Sequence, residues 1–534
     1  VISSMQAPII LPRGSTFHDH FFNQTEKYSN AVALINSTSG EELTFGEIRS
    51  KANRLAQCIL AMGIEKGEAV LLVMDNRPET IIIFLATSIA GAVTTTINPW
   101  WNADELQHQI ETSFTRFAFV VPCAIPAVRT CFERIKREHR LICVGPRDHA
   151  DGLPILSDLE LTLELLPQPS LVFPEIIPAE DVAYMPYSSG IHGDRKGILI
   201  THEVFCQQIA VANHPFYDNP RQNEYTVSLL PFFRHIGLEC AFVGLLNGST
   251  MVCVPDYDVN KYMDVIQRYE IRCVFTTPYM AHQMSRAGPL APPMDSLKTV
   301  IVGTACLTRT VHEAFLDRFP NASIVSMYGM TETGLLARSK PRQSYVKDVG
   351  MLVSSVQMKV LDMISGEEVP HGEKGVIYVA GPSTSAPYLD CPEQDPLGGW
   401  RKTGDVGSID EKGYVHLVDR AREIIKVFGV QVIPQELEEI LGAHAAVVEC
   451  AVVGVRDKEA GERPIAYAVL KPLMQVTKDE LMEYVNERLC RPKWLLRVEL
   501  STTLPRTSCG AILRRVLAEA ANLSIDALPT SVAN

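Results

Sequence analysis

"YMPYSSGIHGDRKGILITH", residues 184–202, sits between two apolar runs and gathers Ser188, Ser189, Gly190, Gly193, Lys196 and Gly197 into one loop. Small residues let backbone N–H groups converge, hydroxyls donate hydrogen bonds, and Lys196 adds a cation. That is the composition needed to hold a polyphosphate. The Walker pattern is absent, because Arg195 stands where that motif needs glycine. On composition alone a solvated Gly/Ser loop is an equal reading, so the surrounding chain has to decide.

Outward from the loop, helix-like and strand-like signals alternate. "AVLLVM" (69–74), "FAFVV" (117–121) and "LICV" (141–144) are continuous apolar runs, as are residues 226–230, 251–254, 273–276 and 300–302. Strands covered on both faces have this pattern. "TFGEIRSKANRLAQCILAMG" (44–63) carries a capping pair, Thr44 and Glu47, and sets Ile48, Leu55, Ile59 and Leu60 at helical spacing. The alternation predicts an α/β chain with mostly parallel sheets. Residues 81–101, "IIIFLATSIAGAVTTTINPWW", are uncharged and long enough to suggest a membrane span. Gly91, the threonine run and Asn98-Pro99 instead read as a buried helix leading into a buried strand. After about residue 420 the rhythm resets into α+β. "IPQELEEILGAH" and "TKDELMEYVNERL" are helices, the second capped by Thr477 and Glu480, and "AVVGV" and "IAYAVL" are strands. The expected division is a large domain over 1–421 and a small one over 422–534.

The chain has 534 residues and a formal charge of −13, with no basic run, which argues against a nucleic-acid or anionic-membrane surface. Its 13 cysteines show no metal-ligand spacing and read as reduced thiols. "VISSMQAPII" lacks the pattern of a secretory leader and the terminal "VAN" is not a peroxisomal address, so a cytoplasmic location and no integral membrane segment are expected.

Further motifs carry chemistry. "MYGMTETG" (327–334) follows an apolar run, where open α/β sheets bind ligands. Tyr328 offers a ring face, Thr331 a hydroxyl, and Glu332 a hard oxygen for Mg²⁺. In "WRKTGDVGSIDEKGYVHLVDRAREIIKVFGVQVIP" (400–434), Asp405 can accept hydrogen bonds from both hydroxyls of a ribose. "PRTSCGAILRR" (505–515) is a glycine turn with a fringe of arginines.

In order and spacing these motifs resemble the adenylate-forming superfamily: acyl-CoA synthetases, 4-coumarate–CoA ligases, luciferase and adenylation domains. The resemblance runs over nearly the whole chain and fits the CoA-ligase and luciferase branch best. It implies an ATP- and Mg²⁺-dependent acid:CoA ligase that joins a carboxylic acid to AMP and passes the acyl group to CoA. A carrier protein is the second possible thiol, and a non-catalytic nucleotide sensor or a luciferase-like oxygenase the competing function. It also implies residue roles. Ser188, Ser189, Gly190, Gly193 and Lys196 would hold the β- and γ-phosphates. Thr304, Ala305, Met327, Tyr328 and Gly329 would line the nucleotide site. Thr331 would contact the α-phosphate, Glu332 the metal, and Asp405 and Arg420 the ribose. Phe232, Phe233, Arg234, Thr277, Thr304, Gly329, Met330 and Leu335 would line an acyl pocket suited to an apolar or aromatic acid. Arg422 matches the hinge, and Lys426, with Gln431 nearby, matches the lysine of the thiol step.

The resemblance also exposes departures. The lysine of the adenylation step falls at position 511, where this chain has Ala511. Three accounts are open: an introduced lysine-to-alanine change that traps nucleotide or adenylate, a natural variant limited to the thiol step, and a regulator without turnover. Ile191 and His192 stand where the phosphate loop has two threonines, and Arg195 where it has proline. Arg234 takes the place of a pocket histidine, with His235 one position beyond.

Overall fold

A computed structural model describes residues 1–9, 11, 14–159, 172–188, 195–255, 258–287, 294–391, 399–421, 423–428, 430–507 and 510–526. The apolar runs form parallel strands. In the six-stranded sheet Arg140–Cys143, Phe117–Val120, Ala69–Val73, Val93–Ile97 and Val182–Tyr184 run parallel in that order, and Ile200–Thr201 closes the edge antiparallel. A four-stranded sheet joins Tyr225–Val227, Thr250–Cys253 and Val32–Asn36 in parallel. The helix Pro78–Ile89 is buried nearly all round and feeds the fully buried strand Val93–Ile97, so the uncharged stretch is core. No helix among the described residues is long and apolar enough to cross a membrane.

Capping follows the sequence closely. Thr44–Glu47 and Thr477–Glu480 both form reciprocal capping boxes, with each N-cap hydroxyl accepting from the N–H three residues on and each glutamate accepting in return. Phe17, Phe84, Phe205 and Phe242 interlock their rings in the main core at centroid distances from 4.5 to 6.1 Å.

A third sheet positions the site. Cys273–Thr276, Thr299–Val302 and Ser323–Met330 run parallel, and Gly334–Arg338 turns back antiparallel on the last of them. "YGMTETG" therefore lies in a β-hairpin rather than in a loop after a strand. Glycine makes that hairpin possible: a Cβ on Gly329 would stand 2.4 Å from the Gly334 carbonyl oxygen. Residues 357–420 add a fully antiparallel sheet, in which Asp405 of Arg401–Ile409 faces Arg420 of Val415–Arg420.

Past residue 424 a separate core gathers Ile425, Leu437, Leu441, Leu481 and Val485. Its sheet contains the hairpin Ile425–Val427/Val430–Val432 and the long strands Val447–Asp457 and Gly461–Leu470. Arg422, the expected hinge, lies outside the described residues, as do Ser189, Gly190, Ile191, His192 and Gly193.

Candidate active site

Tyr328, Asp405 and Arg420 come from distant segments and meet. The Tyr328 hydroxyl donates to Asp405 Oδ2 at 2.7 Å, and Arg420 Nε lies 3.2 Å from Asp405 Oδ1. Burial pushes the Asp405 carboxyl up, against the opposing pull of Arg420 and Tyr328. Burial and the adjacent Asp405 push the Tyr328 phenol up as well. Beside them a cleft encloses about 590 Å³ of space open to solvent, lined by Ala305, Cys306, Ser326, Met327, Tyr345 and Leu417 among others. Thr304, which leads into this wall, has φ +73°. The left-handed region costs a β-branched residue about 1–3 kcal/mol, a strain that concentrates at functional loops. The Met327 side chain packs against Gly303, where a Cβ would stand 2.7 Å from it.

The phosphate-loop stem is a two-rung ladder. Ser188 N–H donates to the Lys196 carbonyl at 2.9 Å, and Lys196 N–H donates to Ser188 Oγ at 3.0 Å. Lys196 Nζ reaches Asp390 Oδ2 at 2.9 Å. Arg195 lies over the Trp101 ring, its Cζ 3.5 Å from the centroid. Glu332 is buried, and its Oε1 accepts from the Tyr388 hydroxyl at 2.9 Å, while Oε2 takes no hydrogen bond from the described residues. Sequence reasoning missed Tyr388 and Asp390. They lie far along the chain in "PYLD", and nothing local marks them as partners of Glu332 and Lys196.

The expected acyl-pocket residues arrive on three elements. Phe232, Phe233 and Arg234 enter the helix His235–Leu246, with Phe233 edge-on to Trp100. Thr277 caps the helix Pro278–Arg286, its Oγ1 accepting from Met280 N–H at 3.1 Å. Gly329, Met330 and Leu335 belong to the hairpin. Glu239 ties the first element to the third by accepting from the Leu335 N–H.

Glu239 and His235 form a buried pair 3.8 Å apart, and both imidazole nitrogens lack a hydrogen-bond partner. Burial pushes the Glu239 carboxyl up to about 8 and draws the His235 imidazole down to about 4. Both groups are therefore neutral at pH 7. Because Glu239 keeps its proton in the fold but ionises when unfolded, its contribution to stability falls as pH rises from about 4.5 to about 8, opposed between about 4 and 6.5 by His235, which the unfolded chain protonates more readily. Glu239→Gln is expected to flatten that fall and to exceed the parent at pH 8 by on the order of 2 kcal/mol. Denaturant midpoints across pH check it; parallel curves for the two proteins contradict it.

The turn at 505–513 closes through Thr507 N–H to the Ala511 carbonyl and Leu513 N–H to the Pro505 carbonyl, both 2.8 Å. Helix Arg514–Asp526 starts after it, with Ile512 still paired to Arg506 across the turn. Gly510, at φ +82°, presses on Tyr279, whose ring atoms would lie 2.4 Å from any Cβ there. The turn thus seats on the large domain two residues beyond Thr277. Its arginines are occupied: Arg506 binds the Gly510 carbonyl and Glu449, and Arg514 lies between Glu423 and Glu438. Lys426 projects from the hairpin opposite Gln431, exposed, with its N–H donating to Glu462 at 2.7 Å.

Comparisons with known proteins agree with this architecture. The AMP-binding enzyme family matches residues 21–389, and the AMP-binding enzyme C-terminal domain matches 436–511. 4-Coumarate–CoA ligase 4 of Arabidopsis thaliana is 30% identical over 531 residues, covering 96% of this chain and 92% of that protein. 4-Coumarate–CoA ligase 2 of Petroselinum crispum is 28% identical, covering 97% and 96%. Among solved structures, ATP-bound MatB from Rhodopseudomonas palustris superposes with a TM-score of 0.84 at 24% identity, over 95% of this chain and 99% of that one. The anthranilate CoA ligase AuaEII with anthranoyl-AMP also scores 0.84, at 23% identity, over 97% and 99%. With its family matched across most of its length, the chain belongs to the AMP-binding enzymes of the adenylate-forming superfamily.

Proposed function

We propose that this chain is an ATP-dependent acid:CoA ligase whose adenylation step lacks its usual lysine. The observation that carries the reading is the junction of Tyr328, Asp405 and Arg420 beside an open cleft, a ring and a paired carboxylate suited to a nucleoside. The likeness to 4-coumarate–CoA ligases supports an acid with an aromatic or apolar body, in keeping with Phe232, Phe233 and Trp100.

In this reading the acid's carboxylate attacks the α-phosphate of ATP, the bond to the β-phosphate breaks, and acyl-AMP and pyrophosphate form. A thiolate of CoA then attacks the acyl carbon and AMP departs. Tyr328 and the 304–306 segment flank the base, Asp405 accepts from the ribose hydroxyls, and Arg420 holds Asp405 in place. Ser188 and Lys196 anchor the loop against the distal phosphates, and Lys196 exchanges Asp390 for phosphate. Thr331 donates to the α-phosphate. Glu332, whose Oε2 takes no hydrogen bond from the described residues, would hold a Mg²⁺ ion, which would neutralise phosphate charge.

In this reading position 511 offers the reacting atoms only a methyl group, and Arg506 and Arg514 are held by carboxylates. Acid and ATP therefore bind, but the anhydride forms slowly. The test supplies ATP, Mg²⁺ and CoA with a panel of aromatic and aliphatic acids, following AMP and thioester by mass. Slow release of both for at least one acid is the expected result, together with thermal protection by AMP that Asp405→Ala abolishes. No nucleotide protection and no thioester with any acid defeats the proposal.

A further inference from the structure

On the other face of strand Ser323–Met330 lies a second pocket, of about 210 Å³. Ile324 and Ser326 line the nucleotide cleft, and Val325 between them lines this pocket, as alternation along a strand requires. Arg338, at the end of strand Gly334–Arg338, forms its floor and is only 4% exposed. Phe216 and Tyr217 make a wall, their rings edge to face at 5.8 Å. Lys340 stands exposed at the rim, its Nζ 5.4 Å from the Phe216 centroid.

The charges here do not balance. Arg338 donates from Nη1 to Asn219 Oδ1 at 2.8 Å and lies 4.4 Å from the Tyr217 centroid. Its Nε and Nη2 donate to no described residue, and no carboxylate among the described residues is within ion-pair distance of it. Asp218, the one acid whose charge reaches it, is already engaged. Arg272 at 2.7 Å and Thr299 at 3.0 Å take Oδ2, and Arg221 at 3.1 Å takes Oδ1. Glu224 pairs with Arg272 at 2.8 Å. Among the described residues Arg221 and Arg272 are paired to Asp218 and Glu224, which leaves Arg338 and Lys340 without an acid in a chain whose net charge is −13. A buried guanidinium without a counter-charge is strongly unfavourable unless something supplies one.

We infer that this pocket binds a small planar organic anion, its carboxylate or phosphate head on Arg338 and Lys340 and its planar body against Phe216. The guanidinium fork matches either head in two-point fashion. Because the site lies behind the strand that carries "YGMTE", it is separate from the reacting cleft and stands independently of the proposed ligase activity.

The probes are benzoate and inorganic phosphate, titrated calorimetrically into the full chain and into three variants. Arg338→Met and Lys340→Ala are each expected to weaken benzoate by about tenfold, the usual worth of one charge-assisted hydrogen bond. Phe216→Ala is expected to remove the advantage of benzoate over phosphate while leaving phosphate unchanged. Lys340 and Phe216 are exposed, so their variants give a readout even where Arg338→Met fails to fold. Binding that is the same in the parent and in Lys340→Ala and Phe216→Ala, or no heat from either probe, overturns the inference.

Discussion

Ala511→Lys is expected to raise the rate of acyl-adenylate formation by about 10²–10³-fold, read as pyrophosphate exchange, with AMP affinity nearly unchanged. The factor is that of one preorganised donor placed where charge develops, roughly 3–4 kcal/mol. Two features of the structure make so large a gain reasonable. The turn already sits on the large domain, with Gly510 against Tyr279 and Thr277 two residues away, so a lysine would be delivered rather than left in solvent. The turn's arginines also cannot act in its place. Arg506 is bound to the Gly510 carbonyl and Glu449, and Arg514 to Glu423 and Glu438. Freeing either would leave a partly buried carboxylate unpaired, which costs more than a catalytic contact returns. Ordering the new side chain costs about 2 kcal/mol at most, and since that cost falls before the chemical step it leaves the barrier contribution visible. An exchange rate that does not move would mean that position 511 is out of register with the family lysine, or that the chain binds nucleotides without turning them over.

The fold was legible because its strongest signals are local. Continuous apolar runs such as 69–74 and 117–121 became parallel strands, and the Thr44 and Thr477 capping pairs closed as the residue types demand. The uncharged residues 81–101 were separable from a membrane span by Gly91, the threonine run and Asn98-Pro99. The hairpin at "YGMTETG" was not legible, because it depends on a close approach between Gly329 and Gly334 that no periodicity encodes. Within the site, the family resemblance pointed to Tyr328, Asp405 and Arg420, but their contact is set by the antiparallel register of strands far from Tyr328. Tyr388 and Asp390 escaped for a related reason. Each matters only through a partner more than fifty residues away, Glu332 and Lys196, and an isolated tyrosine or aspartate in a loop carries no such information. The occupation of Arg506 and Arg514 was likewise invisible, since Glu449, Glu438 and Glu423 are brought to them only by tertiary packing.

Lys426→Ala is expected to slow thioester formation from preformed acyl-AMP and CoA by about 10²–10³-fold, while changing pyrophosphate exchange by less than about twofold. In this structure the 511 turn faces the large domain and Lys426 does not: it is exposed on the hairpin Ile425–Val427/Val430–Val432, with Phe428 and Val430 68% and 44% exposed beside it. A lysine directed at solvent contributes nothing to the adenylation step proposed for position 511. An apolar hairpin tip left in water gains from being covered, so a turn of the small domain that carries Lys426 inward also buries Phe428. The two half-reactions should therefore separate cleanly between positions 511 and 426. In Ala511→Lys combined with Lys426→Ala, acyl-AMP should form quickly and then persist in the presence of CoA, which rapid-quench sampling and mass measurement detect directly. Equal losses in both half-reactions for Lys426→Ala would instead show that the hairpin acts only by supporting the small domain. Normal thioester formation in that variant would mean that the thiol is activated elsewhere in the cleft.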